Sequence, residues 1–200
     1  KFEKNYIKNN FNVKNVIYIN PPSITKVERD DKNNKKNDDL KKIIYVGRLS
    51  KEKGVITILK ALSRIKDKYN FKFEIFGEGV EKKTIKNFIK ENKLSKKVLF
   101  KGFYKDKLKI FKNKDLFINA SWFEGLPNAL VQSLNYNVFP ICSKSPGGNF
   151  EVIKYGQLGL VFNTYSSEDL KKKILLYFKK NLKLPQKTRI NHLKNFTQFK

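Results

Sequence analysis

Short apolar runs alternate with amphipathic stretches along most of the chain from Lys42 onward. Apolar runs bounded by turn residues are typical of buried strands, and apolar positions spaced three and four apart are typical of helices with one buried face. The predicted strands are Ile43–Val46, Phe71–Phe76, Val98–Phe100, Leu116–Ala120, Val138–Cys142 and Leu158–Phe162. Because helical patterns separate them, the sequence predicts an α/β fold with a doubly wound parallel sheet of about six strands.

The predicted helices carry their apolar residues on one face. The residues that share a face are Ile58, Leu59, Leu62 and Ile65, then Ile85, Phe88 and Ile89, then Val152 and Ile153, then Leu170, Ile174, Leu175 and Phe178, and a further short helix is predicted over Leu108–Phe111. Ser166 is placed to cap the last long helix, and acidic residues in its first turn suit the positive end of the helix dipole.

The remaining segments give the domain organisation. We interpret residues 1–17 as the end of a preceding domain or an inter-domain segment, and residues 18–41 as a lead-in. Within it, the stretch 26–41 has too few apolar residues to order itself, which predicts a mobile linker or loop. Residues 42–184 form the main domain, and residues 185–200 begin a C-terminal tail or crossover helix. The chain begins without Met or a signal peptide, so we expect a piece of a longer protein.

The chain is strongly basic, with 44 Lys and Arg residues against 18 Asp and Glu and a formal net charge of +26. Clustered Lys and Arg bind phosphate backbones, so a basic nucleic-acid-binding module is one interpretation. The only arginines, however, are Arg29, Arg48, Arg64 and Arg189, and the lysines are spread evenly over linkers and helix faces. Because Asn is abundant and Met is absent, we favour a compositional bias over a nucleic-acid surface. The charge would still attract an anionic membrane surface.

Several kinds of site are not predicted. Cys142 is the only cysteine, so neither a disulfide framework nor a metal cluster is expected, and a reducing compartment is the simpler interpretation. His192, the only histidine, lies among Asn and Lys and is predicted to be a surface residue. No apolar run approaches the roughly 18 residues that span a bilayer. Since no Asp-x-Asp and no P-loop motif occurs, neither a metal-bridged diphosphate nor a Walker-type site is expected.

The most distinctive turn, Phe123–Asn128, follows the fourth predicted strand. Gly125 breaks the strand pattern, and Pro127 suits the first turn of a helix, where no N–H donor is needed. Glu124 is therefore predicted on a strand-to-helix turn, with Gln132 one to two turns into the helix. Such turns form the ligand crevice of open α/β sheets, and the helix N-terminus favours a bound phosphate. Most such junctions are only connections, so this turn alone does not establish a site.

Three other turns carry candidate ligand-binding residues. Arg48 follows the first strand and Lys53 precedes the first helix, so the two cations could clamp a diphosphate. The alternative is that both are ordinary solvated cations. This explains Arg48 less well than Lys53, because arginine is scarce in this chain. Gly77-Glu78-Gly79 begins like a dinucleotide fingerprint, but a lysine stands where the third glycine belongs, so no hydride-transfer cofactor is expected. Gly147-Gly148, before a short helix, could form an anion nest.

Five segments come in a characteristic order and spacing: Tyr45–Gly54, Gly77–Gly79, Lys101–Phe103, Phe123–Asn128 and Gly147–Gly148. Together they resemble the C-terminal half of retaining glycosyltransferases of family 4, enzymes with the two-domain GT-B fold, over roughly residues 18–180. The resemblance implies that residues 42–184 are a Rossmann-like domain that binds the nucleotide diphosphate of a sugar donor. It also implies an N-terminal domain, absent here, that binds a glycan or polyprenyl-linked acceptor.

The resemblance implies roles for individual residues. Arg48 and Lys53 match the family's diphosphate-binding pair, and Glu124 matches the first of two Glu separated by seven residues, near the donor sugar. The second Glu, which bonds ribose hydroxyls in the family, is replaced by Gln132, so weakened or altered donor binding is expected. The predicted catalytic residues are Glu124, Arg48 and Lys53, and the predicted donor-binding residues are Gly47, Gly79, Gly125, Leu126, Pro127, Asn128 and Gln132.

The implied activity is transfer of a hexose or N-acetylhexosamine from a nucleotide-diphosphate sugar, for which a UDP-sugar is the favoured donor. The configuration at the anomeric carbon is retained, and no metal or other cofactor is expected. The Glu-Gly-Leu-Pro-Asn form is similar to enzymes of surface polysaccharide, capsule, lipopolysaccharide and glycan biosynthesis. We therefore expect a cytoplasmic protein, peripheral on the inner face of the membrane, with no nucleic-acid partner. This half alone is expected to be catalytically inert. Two alternatives stay open: a nucleic-acid-binding module, and a degenerate member that binds sugar nucleotides without turnover.

Overall fold

The computed structural model describes residues 23–28, 39–104 and 106–197. The strands are β1 (Lys41–Val46), β2 (Phe71–Phe76), β3 (Val98–Gly102), β4 (Leu116–Asn119), β5 (Phe139–Ser143) and β6 (Leu160–Phe162). The helices are α1 (Val55–Ser63), α2 (Lys82–Glu91), α3 (Lys107–Phe111), α4 (Asn128–Asn135), α5 (Asn149–Val152), α6 (Ser167–Lys180) and α7 (Gln186–Leu193). All six predicted strands are therefore confirmed, with ends displaced by one or two residues.

The strands form one parallel sheet in the order β3-β2-β1-β4-β5-β6. Ile43 of β1 lies opposite Phe73 of β2 on one side and Leu116 of β4 on the other. Strands added after β1 extend the sheet in one direction, and strands added after β4 extend it in the other. Ligands of open α/β sheets bind at such a switch point, outside the carboxyl ends of the strands. The predicted doubly wound, Rossmann-like fold is confirmed.

Helices cover both faces of the sheet because successive strand residues point to opposite sides. Ile43 packs in the layer that contains α1, α2 and α6, whereas its neighbour Ile44 packs with α3, α4, α5 and α7. Ser166 caps α6 as predicted, since its Oγ accepts a hydrogen bond from the Asp169 N–H at 3.1 Å. Tyr177 completes the buried face of α6, although it is not among the predicted residues.

Residues 23–28 and α7 lie together beside α4. The Ile24 N–H donates to the Phe196 carbonyl at 3.3 Å, and the Lys26 carbonyl accepts from the Asn135 amide at 3.2 Å. The predicted mobile stretch 26–41 is therefore wrong at both ends, because residues 26–28 pack against α4 and Lys41 begins β1. Residues 29–38 lie outside the described part, as do residues 1–17, the first part of the lead-in (18–22) and the last three residues.

A buried arginine joins these segments. Arg189 of α7 has no exposed surface, and its guanidinium donates to the carbonyls of Leu134 at 3.0 Å, Asn135 at 3.1 Å and Glu28 at 3.3 Å. The last carbonyls of a helix have no partner within the helix, so Arg189 satisfies the C-terminal end of α4. Its cation also lies at the negative end of the helix dipole.

The two edge strands of the sheet are short or irregular. β6 has three residues, and the pairing of β3 with β2 shifts in register between Ile75 and Phe76. None of the helices in the described ranges has the length and apolar character needed to cross a membrane.

Candidate active site

A cavity of about 330 Å³ lies where the loops after β1 and β4 diverge. The position follows from the sheet, because these neighbouring strands mark the switch point. Most of the predicted site residues line it: Gly47, Arg48, Lys53, Glu124, Leu126, Pro127, Asn128 and Gln132. Residues distant in sequence therefore meet in one crevice, as the strand-end turns predict.

The Glu124 carboxylate is held from two sides. Its Oε1 accepts a hydrogen bond from Ser121 Oγ at 2.6 Å and pairs with Lys53 Nζ at 2.8 Å. The side chains of Lys53 and Glu124 are only 17% and 15% exposed, so water screens this ion pair less than a surface pair. The Glu124 backbone is fixed as well, donating to the Pro146 carbonyl at 3.2 Å and accepting from the Gly148 N–H at 3.2 Å.

A buried polar network supports Ser121. Asn119 Oδ1 accepts a hydrogen bond from the Ser121 N–H at 3.2 Å and lies 2.7 Å from Ser121 Oγ, whose single proton Asn119 shares with Glu124. The Asn119 amide donates to Asn149 Oδ1 at 3.0 Å, and the Asn149 amide donates to Ser145 Oγ at 2.9 Å. These residues are not among those that the sequence predicts. The one local signal is that Asn119 and Ser121 are polar residues at the end of an apolar strand.

Arg48 is the accessible cation of the crevice, with a side chain that is 79% exposed. The carbonyl of Arg48 accepts a hydrogen bond from the Tyr45 hydroxyl at 2.6 Å, which fixes the loop that follows β1. Burial raises the pKa of Tyr45, and the nearby charge of Glu124 raises it further, so the phenol stays protonated and keeps donating. A hydrogen bond from Ser50 lowers the pKa of Glu52, and the Arg48 charge contributes to the same shift.

Helix α4 begins at the crevice. It starts at Asn128, so Pro127 stands one residue before the helix, and the Pro127 carbonyl accepts the Val131 N–H at 3.1 Å. Ser23 Oγ donates to Asn128 Oδ1 at 2.6 Å. Gln132, one turn further on, is buried and lines the cavity. The positive end of the α4 dipole therefore points toward the space between Arg48 and Gln132.

A second cavity of about 330 Å³ adjoins the first and shares Val46, Gly47 and Arg48 with it. Its other walls include the aromatic rings of Phe76, Phe103 and Tyr104. Phe103 is largely exposed and Tyr104 is half exposed, although both present an aromatic ring. An aromatic, open cavity beside a cation suits a flat ring that carries an anionic group. Apart from Phe103, these aromatic residues belong to none of the predicted motifs.

Two of the glycines predicted to bind the donor, Gly79 and Gly125, contact neighbouring backbone. Gly79 lies against the Leu49 carbonyl, whose oxygen is 2.4 Å from the position of a Cβ, and it lines neither of the two cavities. Gly125 uses its carbonyl to accept the Gly148 N–H at 2.9 Å. Because that N–H is used by backbone carbonyls, the anion nest suggested at Gly147-Gly148 is wrong for Gly148. Donor contacts of Gly79 and Gly125 stay predictions.

His192, predicted to be a surface residue, is half-buried. Its Nε2 lies 3.0 Å from the Val152 carbonyl, and its ring packs against Phe196. Burial lowers the pKa of His192, while its contact with Val152 and the charge of Glu151 act in the opposite direction. The polar sequence around it does not reveal that α7 packs on α5. His192 lies on the α7 side of the fold, and it does not line either cavity.

The family model for glycosyl transferases group 1 matches residues 26–194. The chain belongs to the glycosyl transferases group 1 family. An uncharacterised glycosyltransferase of Methanocaldococcus jannaschii is 29% identical over 157 residues, which is 70% of this chain and 39% of that protein. The N-acetylgalactosamine-N,N'-diacetylbacillosaminyl-diphospho-undecaprenol 4-alpha-N-acetylgalactosaminyltransferase of Campylobacter jejuni is 36% identical over 119 residues, 60% of this chain and 32% of that protein.

Solved structures share the fold of this group 1 domain. A glycosyltransferase from Rickettsia africae superposes with a TM-score of 0.80 at 19% identity, covering 98% of this chain and 57% of that chain. The pneumococcal O-GlcNAc transferase GtfA, solved with UDP and GlcNAc, has a TM-score of 0.77 at 19% identity, covering 98% of this chain and 40% of that chain. The chain spans less than two thirds of the length of each of these relatives.

Proposed function

We propose that this chain is the donor-binding domain of a retaining, metal-independent hexosyltransferase of glycosyltransferase family 4. One observation carries the proposal: Arg48, the Lys53–Glu124 pair and Gln132 line a single crevice at the switch point between β1 and β4. Residues of this chemistry suit the parts of a nucleotide sugar. Family membership supports the reaction type. We infer that the acceptor binds to a domain outside this chain.

The two adjoining cavities suggest how the donor lies. The diphosphate would bind Arg48 and the N-terminus of α4, where a cation and the positive end of the helix dipole favour an anion. The ribose would lie near Gln132, and the nucleobase would enter the adjoining cavity that Phe76, Phe103 and Tyr104 line. The sugar would then face Glu124.

The chemistry follows from the charges that develop during transfer. As the bond to the leaving diphosphate breaks, the diphosphate gains negative charge and the sugar becomes oxocarbenium-like. The negative charge on the diphosphate would be stabilised by Arg48, Lys53 and the α4 dipole, more strongly in the transition state than in the ground state. Glu124 would orient the sugar hydroxyls and stabilise its positive charge, as carboxylates do in glycoside hydrolysis. Attack on the same face that the diphosphate leaves would give retention.

The names of relatives support the donor and the pathway. The Campylobacter jejuni relative is an N-acetylgalactosaminyltransferase acting on an undecaprenol diphosphate, and structural neighbours are described with UDP, UDP-glucose, glucose or GlcNAc. We infer a UDP-sugar donor with a hexose or N-acetylhexosamine, and a glycan or polyprenyl-linked acceptor in surface polysaccharide, capsule or lipopolysaccharide assembly. The protein would act in the cytoplasm, with its lysines drawn to the anionic inner face of the membrane.

Isothermal titration with UDP, UDP-sugars and GDP-sugars tests the proposal. Saturable binding of one nucleotide diphosphate by the folded chain is the expected result. A nucleic-acid-binding module would instead bind oligonucleotides with an affinity that falls steeply as salt rises. Binding of oligonucleotides together with failure to bind any nucleotide diphosphate would replace the glycosyltransferase proposal by that one.

Arg48→Ala is expected to weaken UDP binding about ten- to a hundredfold, because a charged hydrogen bond to the diphosphate is lost. Arg48→Lys should recover only part of the affinity, since an ammonium keeps the charge but lacks the guanidinium fork. The matched control is Arg64→Ala, which removes the same charge from the opposite end of α1, where Arg64 pairs with Glu168 at 3.1 Å. Equal losses for Arg48→Ala and Arg64→Ala would mean that bulk charge governs binding.

The buried amide of Gln132 favours a second candidate, a degenerate member that binds a sugar nucleotide without turnover. Gln132→Glu is expected to tighten UDP binding about three- to tenfold, because a carboxylate accepts stronger hydrogen bonds from ribose hydroxyls. The same gain for 2′,3′-dideoxyuridine diphosphate would disprove contact with the ribose. A sharp rise in turnover when Gln132→Glu is placed in the protein with its acceptor domain would favour the degenerate candidate.

A further inference from the structure

Two residues proposed to bind different parts of the donor bind each other in this structure. Lys53 Nζ lies 2.8 Å from Glu124 Oε1, and both side chains are mostly buried in the crevice. A cation suited to the diphosphate therefore neutralises the carboxylate suited to the sugar. Removing one partner of a buried ion pair leaves the other with an uncompensated charge. The diphosphate must therefore compete with Glu124 for Lys53, and the sugar must compete with Lys53 for Glu124.

The two partners are held very differently. Glu124 keeps a second hydrogen bond, from Ser121, and Ser121 is bound in turn to Asn119 and through it to Asn149. Ser121, Asn119 and Asn149 are all buried. In the described part of the chain, Glu124 is the one hydrogen-bond and ion-pair partner of the Lys53 ammonium group, which ends a flexible four-carbon stem. When the pair opens, Lys53 is therefore the partner that moves, while Glu124 stays in place.

We propose that the Lys53–Glu124 pair couples recognition of the diphosphate to recognition of the sugar. The diphosphate draws Lys53 away, and the fixed carboxylate of Glu124 then takes hydrogen bonds from sugar hydroxyls in its place. This inference rests on the proposed donor site. Because coupling is reciprocal, the sugar also strengthens diphosphate binding by taking Glu124 from Lys53. Such a site favours an intact nucleotide sugar over a free sugar.

The test is the affinity of the chain for UDP and for UDP-N-acetylgalactosamine, measured by isothermal titration. Glu124→Gln keeps the size of the side chain and its bond to Ser121 but releases Lys53. UDP affinity is therefore expected to rise about three- to tenfold, a gain that persists in high salt because it comes from a direct contact. The extra affinity that the sugar adds to UDP is expected to fall. The control Glu168→Gln breaks a surface pair with Arg64 and should change UDP affinity less than twofold.

A double-mutant cycle assigns the effect to the pair. In a Lys53→Met background, Glu124→Gln should give no gain in UDP affinity, because no ammonium remains to be released. Unchanged or weaker UDP binding by Glu124→Gln, or the same gain without Lys53, would overturn the coupling.

A second variant, Ser121→Ala, keeps the ion pair and loosens only the fixed side of Glu124. It should leave UDP affinity within twofold and weaken UDP-N-acetylgalactosamine. If Ser121→Ala tightened UDP binding about threefold or more, or left UDP-N-acetylgalactosamine binding unchanged, the coupling would be overturned even if Glu124→Gln did not fold. If the unmodified chain binds UDP saturably, these outcomes test the coupling separately from the donor site. If it binds no nucleotide diphosphate at all, the donor site and the coupling fail together.

Discussion

Gly147→Ala is expected to abolish UDP binding and to lower the free energy of unfolding by about 3 kcal/mol or more. Gly147 has a φ of +102°, and an added Cβ would lie 1.5 Å from the Glu124 carbonyl oxygen. Both groups belong to the backbone, and the two residues form a bridge that holds the loop after β4 against the loop after β5. The clash can therefore be relieved only by separating the two backbone segments, which breaks the bridge that positions Glu124. Urea denaturation and isothermal titration measure the two effects.

Gly156→Ala is the matched control. Gly156 also has a positive φ, +94°, but a Cβ there would have no neighbour within 4 Å. This variant has the backbone strain without the clash, so about 1 to 2 kcal/mol of stability is expected to be lost, with UDP affinity unchanged. Equal losses in the two variants would show that strain at positive φ, rather than the approach to Glu124, determines the cost.

Arg189→Met is expected to lower the free energy of unfolding by about 2 to 5 kcal/mol. The methionine fills much of the volume, but the carbonyls of Leu134 and Asn135 lose the guanidinium donor at the buried end of α4, while Leu134 keeps the Asn137 N–H at 3.1 Å. Because α4 also carries Gln132, UDP affinity should fall as well. Urea denaturation of the variant, followed by titration of UDP at low denaturant, would measure both.

Arg64→Met provides the comparison for Arg189. Arg64 is half exposed and pairs with Glu168 on the surface, so its loss should cost less than about 1 kcal/mol. A stability of Arg189→Met equal to that of the unmodified chain would mean that desolvation of the buried guanidinium cancels its hydrogen bonds to the Glu28, Leu134 and Asn135 carbonyls.

The sheet could be predicted from the sequence because each strand is a short apolar run and each helix has one apolar face. Ile43 and Ile44 are both apolar because helices cover both faces of β1, and this is typical of a parallel sheet. Arg189 and His192 could not be placed in the same way. Each lies in a polar stretch, and its burial depends on how α7 packs against α4 and α5.

The turns that carry the candidate site could be predicted from the sequence, but the contacts between them could not. Glu124 is marked by a glycine and a proline after an apolar run, and Arg48 by the scarcity of arginine. The contact of Lys53 with Glu124 could not be predicted from local pattern, because it joins residues 71 positions apart and exists only when β1 lies beside β4. The same holds for Asn149, which reaches Asn119 across β5.

The edges of the sheet have a consequence for the behaviour of the protein at high concentration. A long, flat edge strand offers unpaired N–H and C=O groups to a second molecule and promotes aggregation. Here one edge, β6, is only three residues long, and the other, β3, changes register against its neighbour and carries Lys101. With a net charge of +26 adding repulsion between molecules, neither edge is a good template for intermolecular strand pairing.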